Sequence, residues 1–236
     1  MDAPENSPPH PIKLEIAVQS LERARAAERA GARRLELCAS LDLGGLTPDL
    51  ALVRQVRAAA QVPIHVLVRP RAGNFSYTTA EFAQMKSSIT ALCQENIHGI
   101  VTGVLLPDCS VDIERTTALV ELAAPLPVTF HRAFDESPSL TQALEDIVRT
   151  GARRILTSAG AASAAEALPA LRQLIEQAGQ RLTILVGGGL GPGNIGQVAK
   201  LAGVGELHTG LGTVLPYNDP DTAQFESAVR ACLAAL

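Results

Sequence analysis

The feature that most constrains this chain is a rhythm: a short apolar run, then an amphipathic or alanine-rich segment, eight times over. The runs are KLEIAV (13–18), RLELCA (34–39), VPIHVLVRP (62–70), GIVTGVL (99–105), PVTFHRAF (127–134), RRILTSA (153–159), RLTILVGGG (181–189) and ELHTGLGT (206–213). Each is followed by a segment of helical character, from SLERARAAERAG (20–31) to PDTAQFESAVRACLAAL (220–236). Ser20, Thr47, Thr79 and Ser139 are the expected N-caps, and Gly31, Gly151, Gly179 and Gly203 the expected C-terminal stops. Strands that alternate with helices imply a parallel sheet. Eight even units predict a closed (β/α)₈ TIM barrel, one α/β domain over residues 12–236. An open doubly wound sheet is the alternative, and it has no need of eight such units. Residues 1–11, polar and proline-rich, are expected to form a disordered tail.

Composition narrows what such a barrel can do. Apolar residues make up 47% but aromatics only 3%, with no Trp, so the core must be aliphatic. A net charge of −4 gives no reason to expect nucleic acid or an anionic membrane as partner. No apolar run approaches the ~20 residues of a membrane helix. Cys38, Cys93, Cys109 and Cys232 are widely spaced with no CxxC pair, and the N-terminus does not read as a signal peptide. Free thiols in a reducing cytoplasm are therefore expected.

In this fold the C-terminal strand ends carry the chemistry, and side chains alternate between the helix layer and the barrel interior. Leu14, Ile16 and Val18, Leu35 and Leu37, Ile64, Val66 and Val68, Val128 and Phe130, and Leu207 then face the helices. Glu15, Glu36, Cys38, His65, Arg69, His131 and His208 face inward. Buried charges are costly unless paired or wet. The inward set is thus either an ion-pair network bracing the barrel, for example Glu36 with Arg69, or a polar pocket at its mouth. VTFHRAFD (128–135) sharpens the second reading, because an apolar strand that ends in His131 and Arg132 suits a ligand better than a core.

Two glycine stretches follow the seventh and eighth strands, LVGGGLGPGNI and HTGLGT. Gly188, Gly189 and Gly210 let backbone approach an anion, and a helix starting near Gly193 or Asn194 would add N–H groups and partial positive charge. Loops at these two strands often hold phosphate in such barrels. Arg69 and Arg71 of RPRAGNFSYT, with Arg132, add forked donors suited to phosphate or carboxylate. For a metal, Cys38, His65 and His208, with His131, supply soft and imidazole donors for Cu(I) or Zn. No local motif such as HExxH is present, so a site would be assembled from separate strands.

RLELC with GGLTP, RPRAGNFSY, VTGVL, VTFHRAFD, RILTS and ELH together resemble the copper homeostasis protein CutC family, in order and spacing, from about Leu14 to His208. The resemblance implies a barrel, a cytoplasmic location, a homo-oligomer and a role in copper homeostasis. It also implies a first-strand cysteine that would pair with the RLELC cysteine around Cu(I). Here that position is Ala17, so copper would be held weakly, through Cys38, His65 and His208. Asn74 stands where the related motif carries an acid. The alternative is an enzyme acting on a small phosphorylated or carboxylated metabolite. Arg69, Arg71, Arg132, Gly188, Gly189 and Gly210 would hold the anion, and Glu36, with Glu15 or His131, would exchange protons. No lysine falls at an inward strand end, which argues against Schiff-base chemistry.

Overall fold

A computed structural model describes residues 12–236; the tail expected over residues 1–11 lies outside the described residues. Eight strands close into one barrel in chain order: β1 Lys13–Val18, β2 Arg34–Leu37, β3 Ile64–Leu67, β4 Gly99–Thr102, β5 Val128–Phe130, β6 Arg154–Thr157, β7 Thr183–Gly187 and β8 Glu206–Thr209. Every neighbouring pair is parallel, and β8 closes on β1 with Glu15 opposite His208. The helices between and after them are α1 Leu21–Ala30, α2 Leu50–Ala59, α3 Thr79–Leu92, α4 Ile113–Ala123, α5 Leu140–Thr150, α6 Leu168–Ala178, α7 Ile195–Ala199 and α8 Thr222–Ala234. The expected (β/α)₈ barrel is the fold adopted. Among the described residues, no helix is long and apolar enough to cross a membrane.

Local chemistry sets most boundaries. Ser20 accepts from the Arg23 N–H and starts α1, and Gly31 at φ +106° ends it in a backbone conformation few side chains tolerate. Ser139 and Gly151 bracket α5 in the same way. Two expected caps are displaced. α2 starts on Asp49, because the Thr47 hydroxyl is spent on the backbone of Arg69. α3 starts on Thr78, whose capping box with Glu81 satisfies two backbone donors at once. Gly203 stops no helix, since α7 has already ended after five residues.

The outward residues of the strands, among them Leu14, Ile16, Leu35, Ile64, Val128, Phe130 and Leu207, are buried against the helices in one aliphatic layer. Each such side chain contributes roughly 1.5–3 kcal/mol by leaving water. α5 shows the matching face, with Ala143, Leu144 and Ile147 buried one turn apart. The main core therefore lies between sheet and helices. The barrel interior holds a small apolar cluster of Ala17, Cys38, Leu41, Leu67 and Val101 beside buried charged side chains such as Glu15, Arg34 and Glu36.

Candidate functional site

The inward parity of separate strands brings Glu36, Arg69, His131 and His208 to one cavity of about 390 Å³ at the C-terminal mouth. Arg132, Gly188, Gly189, Gly210 and the rings of Phe75 and Tyr217 line it as well. Glu15 and His65 lie deeper, and Arg71 is not part of its wall.

The floor is built on β1, β2 and β8. His208 Nδ1 lies 2.7 Å from Glu15 Oε1, and its Nε2 lies 3.7 Å from Glu36 Oε2. Among the described residues Glu36 has no hydrogen-bond partner, though it is only 6% exposed. Burial, with the charge of Glu15 adding to it and that of His208 opposing, pushes the Glu36 carboxyl up to about 7. Burial alone would also raise Glu15. The hydrogen bond to His208 and the charges of Arg34, His208 and His65 outweigh it and hold Glu15 well below the usual carboxylate range. His208 is raised: burial works against its charge, but Glu36 and Glu15 prevail.

Beneath this floor runs an ion-pair network that strand alternation did not reveal. Arg34 bonds Glu15 through Nε and, through Nη2, Glu206 at 2.6 Å; Glu206 also takes Arg154 Nε at 3.0 Å and Lys13 Nζ at 3.5 Å. The bracing network expected of Glu36 with Arg69 is thus made by other residues. The signal was available, since Arg34 shares the inward parity of Glu36, and Glu206 that of His208. Glu15 belongs to this layer and touches the cavity only through His208, a correction to its expected role in direct proton exchange.

On the opposite wall, Arg69 is largely committed. Its Nη1 donates to the carbonyls of Leu43 and Gly45, both at 3.0 Å, and Nη2 to that of Gly73 at 2.8 Å. It staples the loops after β2 and β3, and its Nε is buried without a partner. The expectation of a free anion-binding fork is therefore corrected to a charged wall with one spare N–H edge. His131 accepts the Ala133 N–H on Nδ1 at 3.2 Å, so the neutral ring carries its proton on Nε2, which is buried and unpartnered. Burial and the charge of Arg69 push its pKa down to about 3. At neutral pH it is a neutral N–H donor, which does not suit the proton exchange expected of it from the sequence.

Arg132 is the accessible guanidinium. Its Nε binds Asp135 Oδ2 at 2.8 Å and its Nη2 binds Ser158 Oγ at 2.8 Å, while a Cβ on Gly188 would lie only 2.8 Å from Nη1. Asp135 is itself fixed by Thr157, by the Ser158 N–H and by the Gly160 N–H. The spacing of Arg132 and Asp135 in VTFHRAFD is thus a device that holds a guanidinium over the loop after β7. Among the described residues the amides of Gly189, Gly210 and Gly212 have no partner. Two expectations for this rim are corrected. Arg71 turns away, held by Glu81 at 2.6 Å and by the carbonyls of Asn74 and Ser76. The helix after β7 has only five residues, and Asn194 folds back onto the Gly191 N–H and the Gly189 carbonyl, so it offers no strong dipole.

The donors do not fit copper. Cys38 is fully buried, contacts the Val18 carbonyl at 3.6 Å, and has its thiol raised well above its ordinary value by burial and by Glu36. His65 sits below, 4.0 Å from Glu15, in space that Gly99 leaves open; burial pushes it down to about 4. His208 gives Nδ1 to Glu15 and keeps only Nε2, which lies 3.7 Å from Glu36. Among the described residues no group of three or more His, Cys, Asp or Glu is placed to hold a metal ion. The expected set of Cys38, His65 and His208 is not brought together, because the three occupy different levels of the barrel.

Comparison with known proteins agrees with the motifs. The profile of the CutC family matches residues 12–213. A family protein CutC of Mesorhizobium japonicum is 45% identical over 195 residues, covering 83% of this chain and 76% of its own. One of Chromobacterium violaceum is 43% identical over 195 residues, covering 83% and 79%. A solved structure named as a copper homeostasis protein CutC, from Streptococcus agalactiae, superposes with a TM-score of 0.78 at 28% identity, over 84% of this chain and 98% of that one.

Proposed function

This chain belongs to the CutC family, and from that premise we propose that its barrel mouth binds a small phosphorylated or carboxylated metabolite and exchanges protons with it. The observation that carries this reading is Glu36: a nearly buried carboxyl, pushed up to about 7, with no hydrogen-bond partner among the described residues, on the floor of a cavity. A carboxyl poised near neutrality can give or take a proton with little cost. Arg132, braced by Asp135 over Gly188, supplies the fixed positive charge an anion needs. His131 supplies a neutral N–H donor in the same wall. Isomerisation, aldol-type cleavage and hydrolysis all use such a set.

Copper homeostasis attaches to this chain through the family's name. A direct copper role would have to rest on Cys38, the one thiol of the barrel interior, with an imidazole, and no step of the proposed chemistry passes through that thiol.

Inorganic phosphate tests the reading. It should raise the melting temperature of the parent protein, because a ligand that binds only the folded state stabilises it, by about 2.7 kcal/mol at a hundredfold excess over Kd. Arg132→Gln should shrink that shift. A melting temperature unmoved by millimolar phosphate would sink the proposal.

A further inference from the structure

The floor of the mouth holds a second group with the geometry of a proton carrier. His208 lines the cavity, and its two nitrogens face different carboxylates: Nδ1 meets Glu15 at 2.7 Å and Nε2 meets Glu36 at 3.7 Å. The first distance is a charge-assisted hydrogen bond; the second is too long for one. Among the described residues Nε2 makes no hydrogen bond. Glu15 is 1% exposed and lies below the cavity, where Arg34 holds its other oxygen. Arg34 is fixed in turn by Glu206, and Glu206 by Arg154. This chain of contacts starts at the closed end of the barrel and stops at an imidazole nitrogen with no hydrogen-bond partner among the described residues.

We propose that His208 is the second proton-carrying group of the mouth, and that Glu15 is the residue that positions it. With Nδ1–H bound to Glu15, the ring orientation and tautomer are fixed and Nε2 is turned toward Glu36 and the cavity, as a buried carboxylate does for other histidines that work through the remote nitrogen. When Glu36 gives its proton to a bound anion, His208 Nε2–H can pass a proton across to Glu36 Oε2. His208 is then neutral and still bonded to Glu15, and Glu36 is protonated again. The return of a proton from the ligand runs the same path backwards.

The charged groups that act on the pair are Glu15 on β1 and Arg34 on β2, with the Cys38 thiol beside Glu36. Arg69, His131 and Arg132 line the same cavity, and His65, Arg154 and Glu206 reach the pair only through Glu15 and Arg34. Glu15 favours the charged form of His208 and Arg34 opposes it, so removing the Glu15 charge should lower the His208 midpoint. His208 favours the ionised form of Glu36, so removing the imidazole should raise the Glu36 midpoint.

Nuclear magnetic resonance of labelled protein reads both without any ligand. In the parent, His208 should show a protonated, strongly hydrogen-bonded Nδ1 and should titrate above its ordinary pH. In Glu15→Gln its midpoint should fall by at least about one pH unit, a tenfold change in the ionisation constant. In His208→Gln the carboxyl of Glu36 should titrate higher than in the parent. An unchanged His208 midpoint in Glu15→Gln, or an unchanged Glu36 midpoint in His208→Gln, overturns the proposal. If Glu15→Gln fails to fold, the His208→Gln titration decides alone. The proposal rests on the reading of the mouth as an acid–base site, and the two can fail separately. Absent phosphate binding with intact coupling sinks the metabolite reading, whereas phosphate binding without coupling sinks only the proton-carrying role of His208 and the positioning role of Glu15.

Discussion

Asp135 and Arg132, three residues apart beyond the end of β5, hold one another at 2.8 Å, and their pairing decides where the mouth keeps its accessible positive charge. Arg69 opens the RPRAGNFSYT motif that suggested a forked anion site, yet three loop carbonyls occupy it. Asp135→Asn should therefore weaken phosphate binding without touching the cavity wall. It should also cost about 2–3 kcal/mol of stability, since charge-assisted bonds from Thr157, Ser158 and Gly160 become ordinary or are lost. Urea unfolding and the phosphate-induced shift in melting temperature measure the two effects. A variant as stable as the parent that responds equally to phosphate would contradict the bracing of Arg132 by Asp135.

Gly188→Ala should destabilise by about 1–3 kcal/mol, because a side chain is strained at positive φ. The observed φ is +111°, and the added Cβ would also meet Arg132 Nη1 at 2.8 Å and Ser158 Cβ at 2.9 Å. The phosphate response should fall with stability. Gly193→Ala is the matched control, since nothing lies within 4 Å of its Cβ and its φ is not positive; it should change neither.

Stability should fall gently as pH drops from about 6.5 to 4.5, by one unmatched proton, and more steeply below about pH 4.5. His65 and His131, pushed down to about 4 and about 3, stay neutral when folded but take up protons near pH 6.5 when unfolded, so each destabilises as pH falls. Glu36, pushed up to about 7, binds its proton more tightly in the folded state and offsets one of the two down to about pH 4.5, whereas the raised His208 acts only above about pH 6.5, where its unfolded form loses its proton. Below that, the unfolded chain also protonates Glu15 and Glu206, both lowered in the fold, and the opposition ends. Each unmatched proton gives a slope of about 1.4 kcal/mol per pH unit. His131→Phe removes one of them, so its unfolding midpoints at pH 4 and pH 7 should differ less than the parent's.

Arg34→Met should cost about 3–5 kcal/mol, because it leaves Glu15 and Glu206 as buried carboxylates short of their cation. Arg54→Ala, which breaks an exposed pair with Glu95, should change little. Equal losses in chemical denaturation would mean that the buried network does not hold the barrel.

In a Cu(I) competition titration the parent should bind weakly and Cys38→Ser should bind alike, since Cys38 is buried without a second thiolate. Ala17→Cys should raise affinity sharply. Ala17 packs in one cluster with Cys38, and two soft donors side by side suit Cu(I). Strong binding by the parent that vanishes in Cys38→Ser would refute the misfit between these donors and copper.

Strand parity was the legible part. Alternation alone placed Glu36, Arg69, His131 and His208 inward, and the structure brings all four to one cavity. What alternation leaves open is depth and partnership. It does not tell that His65 lies a level below His208, or that Arg69 spends its fork on carbonyls of two loops. Loop residues escape it altogether: Arg71 is one residue beyond Pro70 and has no strand to fix its direction, so Glu81 captures it. The buried network was missed for a different reason. Arg34 and Glu206 stand at the first positions of their strands, where a charged residue reads as a solvated end. In a barrel those first positions converge on the closed end, and their charges meet.

That closed end governs traffic. Among the described residues Lys13, Arg34, Arg154 and Glu206 pair across it, so the mouth is the aperture through which an occupant would enter and leave. Arrival and departure then compete for one doorway, framed by the loops after β3, β7 and β8. How quickly Phe75, Tyr217 and the glycine loops let an occupant out would then set how long anything stays in the mouth.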